Sequence, residues 1–580
     1  MYDLLIRGGS VVDGAGSPPV TADVAVKDGS IVAVGQIREA AREVVDADGA
    51  LVTPGFIDVH THYDGQFLWD ETLEPSFSHG VTTVIAGNCG VGFAPLRPDT
   101  KQQLLELMEG VEDIPGIVLD EGMDWDWRSF GDYMDRLDGR HYSMDVATHL
   151  SHAPVRLAVM GERALRHEAA TPQDIAEMAQ IVREGMEAGA VGFSGSRVLS
   201  HRSSTGAHVP GTFAEDAELL GLARAMGESG RGVFEIVPLS PAEASREERL
   251  AEHDRFARIA EASGRPVTYV LGSAKADPED RRIMFEATAQ ASAEGLRLHP
   301  QIASRYSAGA LQLLDGAHIF KHRPSYRTIA HLPVAARAEA MRDPPLRAAI
   351  LAEADDLDHP GVTPMERTIA GFFGNNRENM YPVDSPLGYE LGLDQRSVVL
   401  GAREGKTVDE HVYDYLTAGD GGNVIGIFRS MTPLENAAVT YEMLRNPLAI
   451  CGLGDGGAHM SIICDASMPT WHLSFWGRDR KAGPRLPLEL LVNQNTKRNA
   501  DLYGLSDRGT IAVGQKADIN VIDFDSLTLD QPRTARDLPA GGSRLLQGAR
   551  GYLATIANGT VTRRHDGDTG ARPGRLIRAR

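Results

Sequence analysis

Short apolar runs broken by glycine turns fill the first fifty residues: DLLIRGG, SVVDGAG and ADVAVKDGSIVAVG. Alternation over a few positions between such turns predicts β-hairpins. From GFIDVHTH (55–62) onward the pattern changes to apolar strands, each followed by a stretch rich in Ala, Leu and Glu at helical spacing. MDVATHLSHAPVR, TPQDIAEMAQIVREGMEAGAVGFSGSR and AELLGLARAMGESGRGVFEIV are examples. Alternating β and α units over residues 54–500 predict a parallel sheet, most economically a (β/α)8 barrel with insertions. Hairpin texture returns in 501–580, with GTIAVGQKADINVIDFD and GYLATIANGTVTRR. Neither end has strands enough for a core, so 1–53 and 501–580 are expected to pair into one small β-sandwich. Residues 276–360 are charged and helical and too long for a plain βα connection, which predicts an insertion over the barrel mouth, acting as a lid. The fold class is α/β: a TIM barrel with a β-sandwich formed by both chain ends.

Composition narrows the function classes. The 580 residues carry 80 acidic and 58 basic side chains, a formal charge of −22, which repels phosphate backbones and anionic lipid. Neither nucleic acid nor a membrane is expected as a partner. No window reaches the roughly 18 apolar residues of a membrane helix, and MYDLLIRGGSVVDG lacks the basic and apolar regions of a leader. Three cysteines, Cys89, Cys451 and Cys464, are too few for a disulfide framework, so a reducing, cytoplasmic setting is expected. A homo-oligomer is compatible with all of this.

Candidate chemistry begins with His60 and His62, two residues apart at the end of an apolar run. On a strand such positions share a face, and strand C-terminal ends carry the chemistry of a (β/α)8 barrel. Two histidines held by backbone hydrogen bonds are the bland alternative. The next strand, GVTTVIAGNCGVGFAP, ends at Cys89 between glycines, where thiolate ligation competes with simple burial. The last strand, LAICGLGDGGAH, carries Asp455 in a glycine turn, and closing a barrel brings its last strand beside its first.

Together PGFIDVHTH with DGQ, GNCG, GFSGSR, GDGGAH and GTIAVGQKADINVID resemble the amidohydrolase superfamily, specifically its N-acyl-D-amino-acid deacylase branch. The resemblance spans nearly the whole chain. It implies a metal-dependent (β/α)8 barrel with His60, His62, Cys89 and Asp455 as ligands and Asp455 also as catalytic base. Members of this branch usually add one histidine at the end of strand 5 and one at the end of strand 6. Here GVFEIVPLS and PVTYVLGSAK offer Val237 and Leu271 at those positions, which cannot ligate. Glu235, two residues before Val237 on the same face, is the candidate substitute. His152 matches a histidine the branch carries before an arginine, which implies a polarising contact to substrate. His149 is expected to be structural.

The loop SRVLSHRSSTGAHVPGT (196–212) follows strand 4 on the catalytic face, and such loops supply substrate contacts. Ser196, Arg197, His201 and, from the last strand, His459 are the candidates, with Arg197 suited to a bidentate carboxylate contact. The expected function is hydrolysis of an amide C–N bond in an N-acyl (D-)amino acid or related small amide, with about one zinc per chain. Two alternatives stay open: hydrolysis of a cyclic amide or lactone, and a degenerate barrel that binds a ligand without catalysis.

Overall fold

A computed structural model describes residues 1–239, 245–272, 278–306, 309–384 and 390–579. Both β-rich ends enter one nine-stranded sheet. Its first strand, Tyr2–Val11, pairs antiparallel with Val20–Lys27 on one side. On the other, its first half lies parallel to Ala41–Asp46 and its last residues lie parallel to Leu51–Pro54. Leu51–Pro54 then pairs antiparallel with Ile519–Ile522 from the far end of the chain. Inward residues of both ends, among them Leu4, Ile6, Val24, Val45, Ile519, Val521, Ala554 and Ile556, form a single apolar core. Each end contributes half of a core that neither could build alone.

Eight parallel strands in chain order form the central ring. They are β1 (Phe56–Asp58), β2 (Val81–Ala86), β3 (Asp145–Thr148, resumed at Leu150–Ser151), β4 (Gly192–Ser196), β5 (Val233–Val237), β6 (Val267–Val270), β7 (Leu298–Ile302) and β8 (Ile450–Cys451). Consecutive strands pair in parallel. A parallel bridge from Thr61 to Gly456 joins the segments that follow the first and last strands. Strands such as VTTVIA and VFEIV are buried at every position, because helices cover the outside and side chains fill the inside. The outer helices Pro172–Glu187 and Arg246–Ser263 start at capping boxes set by Thr171 with Asp174 and Ser245 with Glu248, which satisfy first-turn N–H groups. No described helix is long and apolar enough to cross a membrane.

The base of the ring is pinned to the terminal sheet by Asp145. Its carboxylate accepts from Arg508 Nη1 at 2.8 Å, Asn558 Nδ2 at 3.0 Å and the Arg575 backbone N–H at 2.9 Å, and it also contacts Lys516 Nζ.

The insertion differs from the 276–360 expected. Residues 276 and 277 lie outside the described residues, Pro278–Ala293 is the helix between β6 and β7, and Leu298–Ile302 is β7 itself. The added unit follows β7. Ala310–Leu313, Val424–Ile427 and Met380–Val383 make a three-stranded antiparallel sheet, packed by helices including Pro364–Asn375 and Val408–Thr417 around its own core of Leu314, Phe320, Met341, Phe373 and Tyr413. Charge marks a barrel helix facing solvent as strongly as it marks an insertion, so the charged run misplaced the boundary.

Candidate metal centre

Just beyond the end of β1 lie His60 and His62, whose rings are 5.3 Å apart. β2 ends in the turn of Cys89, at φ 56°, a conformation a non-glycine residue adopts at some cost and one that clusters at functional sites. The next residue allows it: a Cβ on Gly90 (φ +68°) would lie 2.9 Å from the Ser196 backbone N. Among the described residues, His60, His62 and Cys89 form a group whose ligand atoms all lie within 4.8 Å of one another. His60 Nε2 is 3.4 Å from Cys89 Sγ.

Asp455, outside that three-residue group, approaches the two histidines from the loop after β8. Its N–H donates to the His60 carbonyl at 3.0 Å, and the His62 N–H donates to the Gly456 carbonyl at 2.8 Å. This short ladder sets Asp455 Oδ1 3.5 Å from His60 Nε2 and 3.7 Å from His62 Nε2. Glycine at 454 is required, since a Cβ there would lie 2.4 Å from Asp58 Oδ2. Both imidazoles point Nε2 at the shared point, and each has a side chain behind Nδ1. His60 Nδ1 lies 2.6 Å from Gln301 Oε1 on β7, and His62 Nδ1 lies 3.4 Å from Glu112 Oε1. Neither Gln301 nor Glu112 was singled out from the sequence; both reach the site only through the tertiary fold, from β7 and from the helix Lys101–Glu112.

The electrostatics of this cluster ask for a cation. Burial, then Glu112, Glu235 and Asp455, push the Cys89 thiol well above its ordinary value. Burial lifts Glu235 to about 8 and Asp58 to about 7. Burial works against the Asp455 charge too, but His62, His60 and His459 hold it well below the usual carboxylate range. Burial lowers His60 to about 4, whereas at His62 burial is outweighed by Glu112 and Asp455, which raise it to about 9. Among the described residues no lysine or arginine pairs with Asp455, Glu112 or Glu235. Two imidazole nitrogens, a thiol and a carboxylate crowded without a fixed positive charge suit a borderline-soft divalent ion such as zinc.

The profile described as the amidohydrolase family matches residues 43–563. The chain belongs to the amidohydrolase family. The D-aminoacylase of Alcaligenes xylosoxydans xylosoxydans is 38% identical over 194 residues, 33% of this chain and 37% of that protein. An N-acyl-D-glutamate deacylase of the same organism is 37% identical over 231 residues, 39% of this chain and 42% of that protein. The aligned part thus spans well under half the length of these curated relatives. Among solved structures, a D-aminoacylase superposes with a TM-score of 0.64 at 21% identity over 100% of both chains. An N-acyl-D-glutamate deacylase from Bordetella bronchiseptica, complexed with zinc and a phosphonate inhibitor, gives 0.63 at 23% over 100% of both. At such identities the likeness concerns the fold.

Other side chains of this amidohydrolase lie where their chemistry is already committed. His152 Nε2 sits 2.7 Å from Glu218 Oε1, which also accepts from Arg156 Nε at 2.9 Å. In that buried triad Glu218 engages the ring at Nε2. Arg197 donates through Nε to Glu252 Oε1 at 3.0 Å and through Nη1 to the Ala214 carbonyl at 2.8 Å, and it is buried. Two of its N–H groups are thus engaged inside the protein. Ser196 Oγ lies 3.1 Å from His201 Nδ1; burial, with His459 and His62 nearby, takes His201 down to about 3, so its ring is neutral beside the cluster. Glu235 Oε2 accepts the Cys89 N–H at 3.1 Å, and its carboxylate lies outside the three-donor group. Val237 and Leu271 are apolar in place as in sequence, and the neighbouring Val270 packs near Ala303, Leu453 and Met468. His149, on the β3 break, has both ring nitrogens buried without a hydrogen-bond partner.

A narrow cleft lined by Asp455, Gly457, His459, Met460, Arg544 and Leu545 adjoins the cluster. It shares Met460, Arg544 and Leu545 with a cavity of about 650 Å³ bounded by the insertion on one side and by Asp113 and Ser461 on the other.

Proposed function

We propose that this chain is a metal-dependent hydrolase of an amide C–N bond, acting on an N-acyl amino acid, with the D series favoured by the curated deacylases it resembles in part. The observation that carries this reading is the convergence of His60 Nε2, His62 Nε2, Cys89 Sγ and Asp455 Oδ1 at the C-terminal mouth of the ring. His60, His62, Cys89 and Asp455 would hold one ion, zinc by its donor set. When bound, such an ion activates water and polarises the amide carbonyl. Asp455 then takes the proton of the attacking water and delivers it to the departing amine nitrogen, serving first as base and then as acid. Stabilisation of its ionised form by three histidines suits a group that must be ionised at neutral pH to begin the cycle. His201 and His459, lying beside the cluster, are the substrate-facing polar groups. Arg197 and His152 are not, because Glu252 and Glu218 engage them. The insertion roofs the cavity beside Asp455 and serves as the lid that excludes water during the reaction.

Metal analysis of the purified protein with a screen of N-acyl-D- and N-acyl-L-amino acids tests the reading. Turnover abolished by a chelator and restored by zinc is expected. Turnover of cyclic amides or lactones alone would replace it with the other hydrolysis, and a metal-bound protein that turns over none of these would leave a ligand-binding barrel.

A further inference from the structure

Glu112 is the last residue of the helix Lys101–Glu112, is buried, and faces the site with both oxygens. Oε1 lies 3.4 Å from His62 Nδ1 and Oε2 lies 3.7 Å from His459 Nε2. Its backbone carbonyl accepts the His459 N–H. The next residue continues the grip: Asp113 Oδ2 accepts the Ser461 N–H at 2.9 Å and Oδ1 accepts its hydroxyl at 3.1 Å. One helix end therefore touches both a ligand histidine and the loop that begins at Asp455.

His62 can offer a lone pair from Nε2 only if the proton sits on Nδ1, and a ligating histidine normally donates that second N–H to a carboxylate, carbonyl or water. His62 Nδ1 and Glu112 Oε1 are both buried, face each other, and have no hydrogen-bond partner elsewhere. The matching histidine already has such a partner, since His60 Nδ1 lies 2.6 Å from Gln301 Oε1. A buried glutamate with no lysine or arginine partner among the described residues is costly unless it serves such a group.

We propose that Glu112 is a positioning residue of the metal centre: it fixes His62 with Nε2 toward the ion and, with Asp113, clamps the loop carrying Asp455 beside it. This rests on the reading of the cluster as a metal site, and not on which amide is cleaved. The test is zinc affinity measured by chelator competition on full-length Glu112→Ala and Glu112→Gln, with circular dichroism of each. Glu112→Ala should bind zinc about 10–100-fold more weakly than the parent with its secondary structure intact. Glu112→Gln, which keeps an oxygen acceptor in place, should recover most of the loss. Parental affinity in Glu112→Ala, or an equal loss in both variants, overturns the proposal. If Glu112→Ala does not fold, 15N NMR of histidine-labelled, zinc-loaded parent decides instead, with the His62 signal assigned by its change in Glu112→Gln. Protonated Nδ1 is expected; protonated Nε2 overturns it. Zinc affinity is read without substrate, so weaker binding in Glu112→Ala together with no hydrolysis of any N-acyl amino acid would sustain this role and refute the amidase reading.

Discussion

Two buried carboxylates at opposite ends of the same ring are treated in opposite ways. At the base, Asp145 meets Arg508, Lys516, Asn558 and a backbone N–H. Burial resists its charge, yet Lys516 and Arg508 hold it down to about 2. At the mouth, Asp455, Glu112 and Glu235 gather around histidines and a thiol, and no lysine or arginine pairs with them among the described residues. The chain thus supplies fixed cations where a carboxylate holds the structure together and withholds them around the proposed metal site. A buried acid with its countercharge built in is structural; one whose neighbours are donors marks a site.

The sharpest way to break this contrast is Asp455→Asn. It should lower kcat by at least about 10²-fold, the usual cost of losing a general base, while circular dichroism stays unchanged. Activity within a few-fold of the parent would remove Asp455 from the mechanism. Cys89→Ala comes next: it deletes the only soft ligand, and elemental analysis after exhaustive dialysis should fall from near one zinc per chain to a small fraction. Full occupancy in this variant, or two stoichiometric ions in the parent, would contradict a single four-donor site. At the base, Asp145→Asn should leave zinc content alone and cost about 3–5 kcal/mol in urea unfolding, because Arg508 and Lys516 lose their buried partner. The sign of its pH dependence follows from a depressed value. The contribution is fully present above the ordinary 3.8 and is lost as pH falls through about 2, so parent and variant should converge in stability only in strong acid. The smallest effect belongs to Glu235→Gln, which keeps an acceptor for the Cys89 N–H. Zinc content and activity within a few-fold of the parent are expected; loss of the ion would make Glu235 a ligand.

How far the sequence foretold these regions depended on the range of the interactions. The His-x-His spacing, the cysteine between glycines and the aspartate in a glycine turn are local signals at strand ends, and position in a closed ring brings such ends together. Barrel and terminal sheet were legible for a similar reason, since the runs between turns carry the period of each element. Glu112 and Gln301 left no trace, because a glutamate ending a helix and a glutamine inside a strand acquire meaning only through histidines far away in the chain. Arg197 and His152 were visible as polar residues at strand ends, but their partners Glu252 and Glu218 sit on outer helices and could not be read from the local sequence. The insertion boundary failed because solvent-facing charge is common to both elements that the run crosses.

The terminal sheet also imposes an order on synthesis. Leu51–Pro54 has Tyr2–Val11 on one side from the start, but its other neighbour is Ile519–Ile522. Nearby, the Gly80 carbonyl waits for Asn520 Nδ2, 440 residues later. At the usual pace of translation that wait lasts roughly 20–90 s. Throughout it the nascent chain carries an open strand edge beside apolar Val52 and Ile6, and such an edge is a template for wrong pairing. On the ribosome, the N-terminal part of this sheet is therefore exposed to wrong partners until its last strands are made.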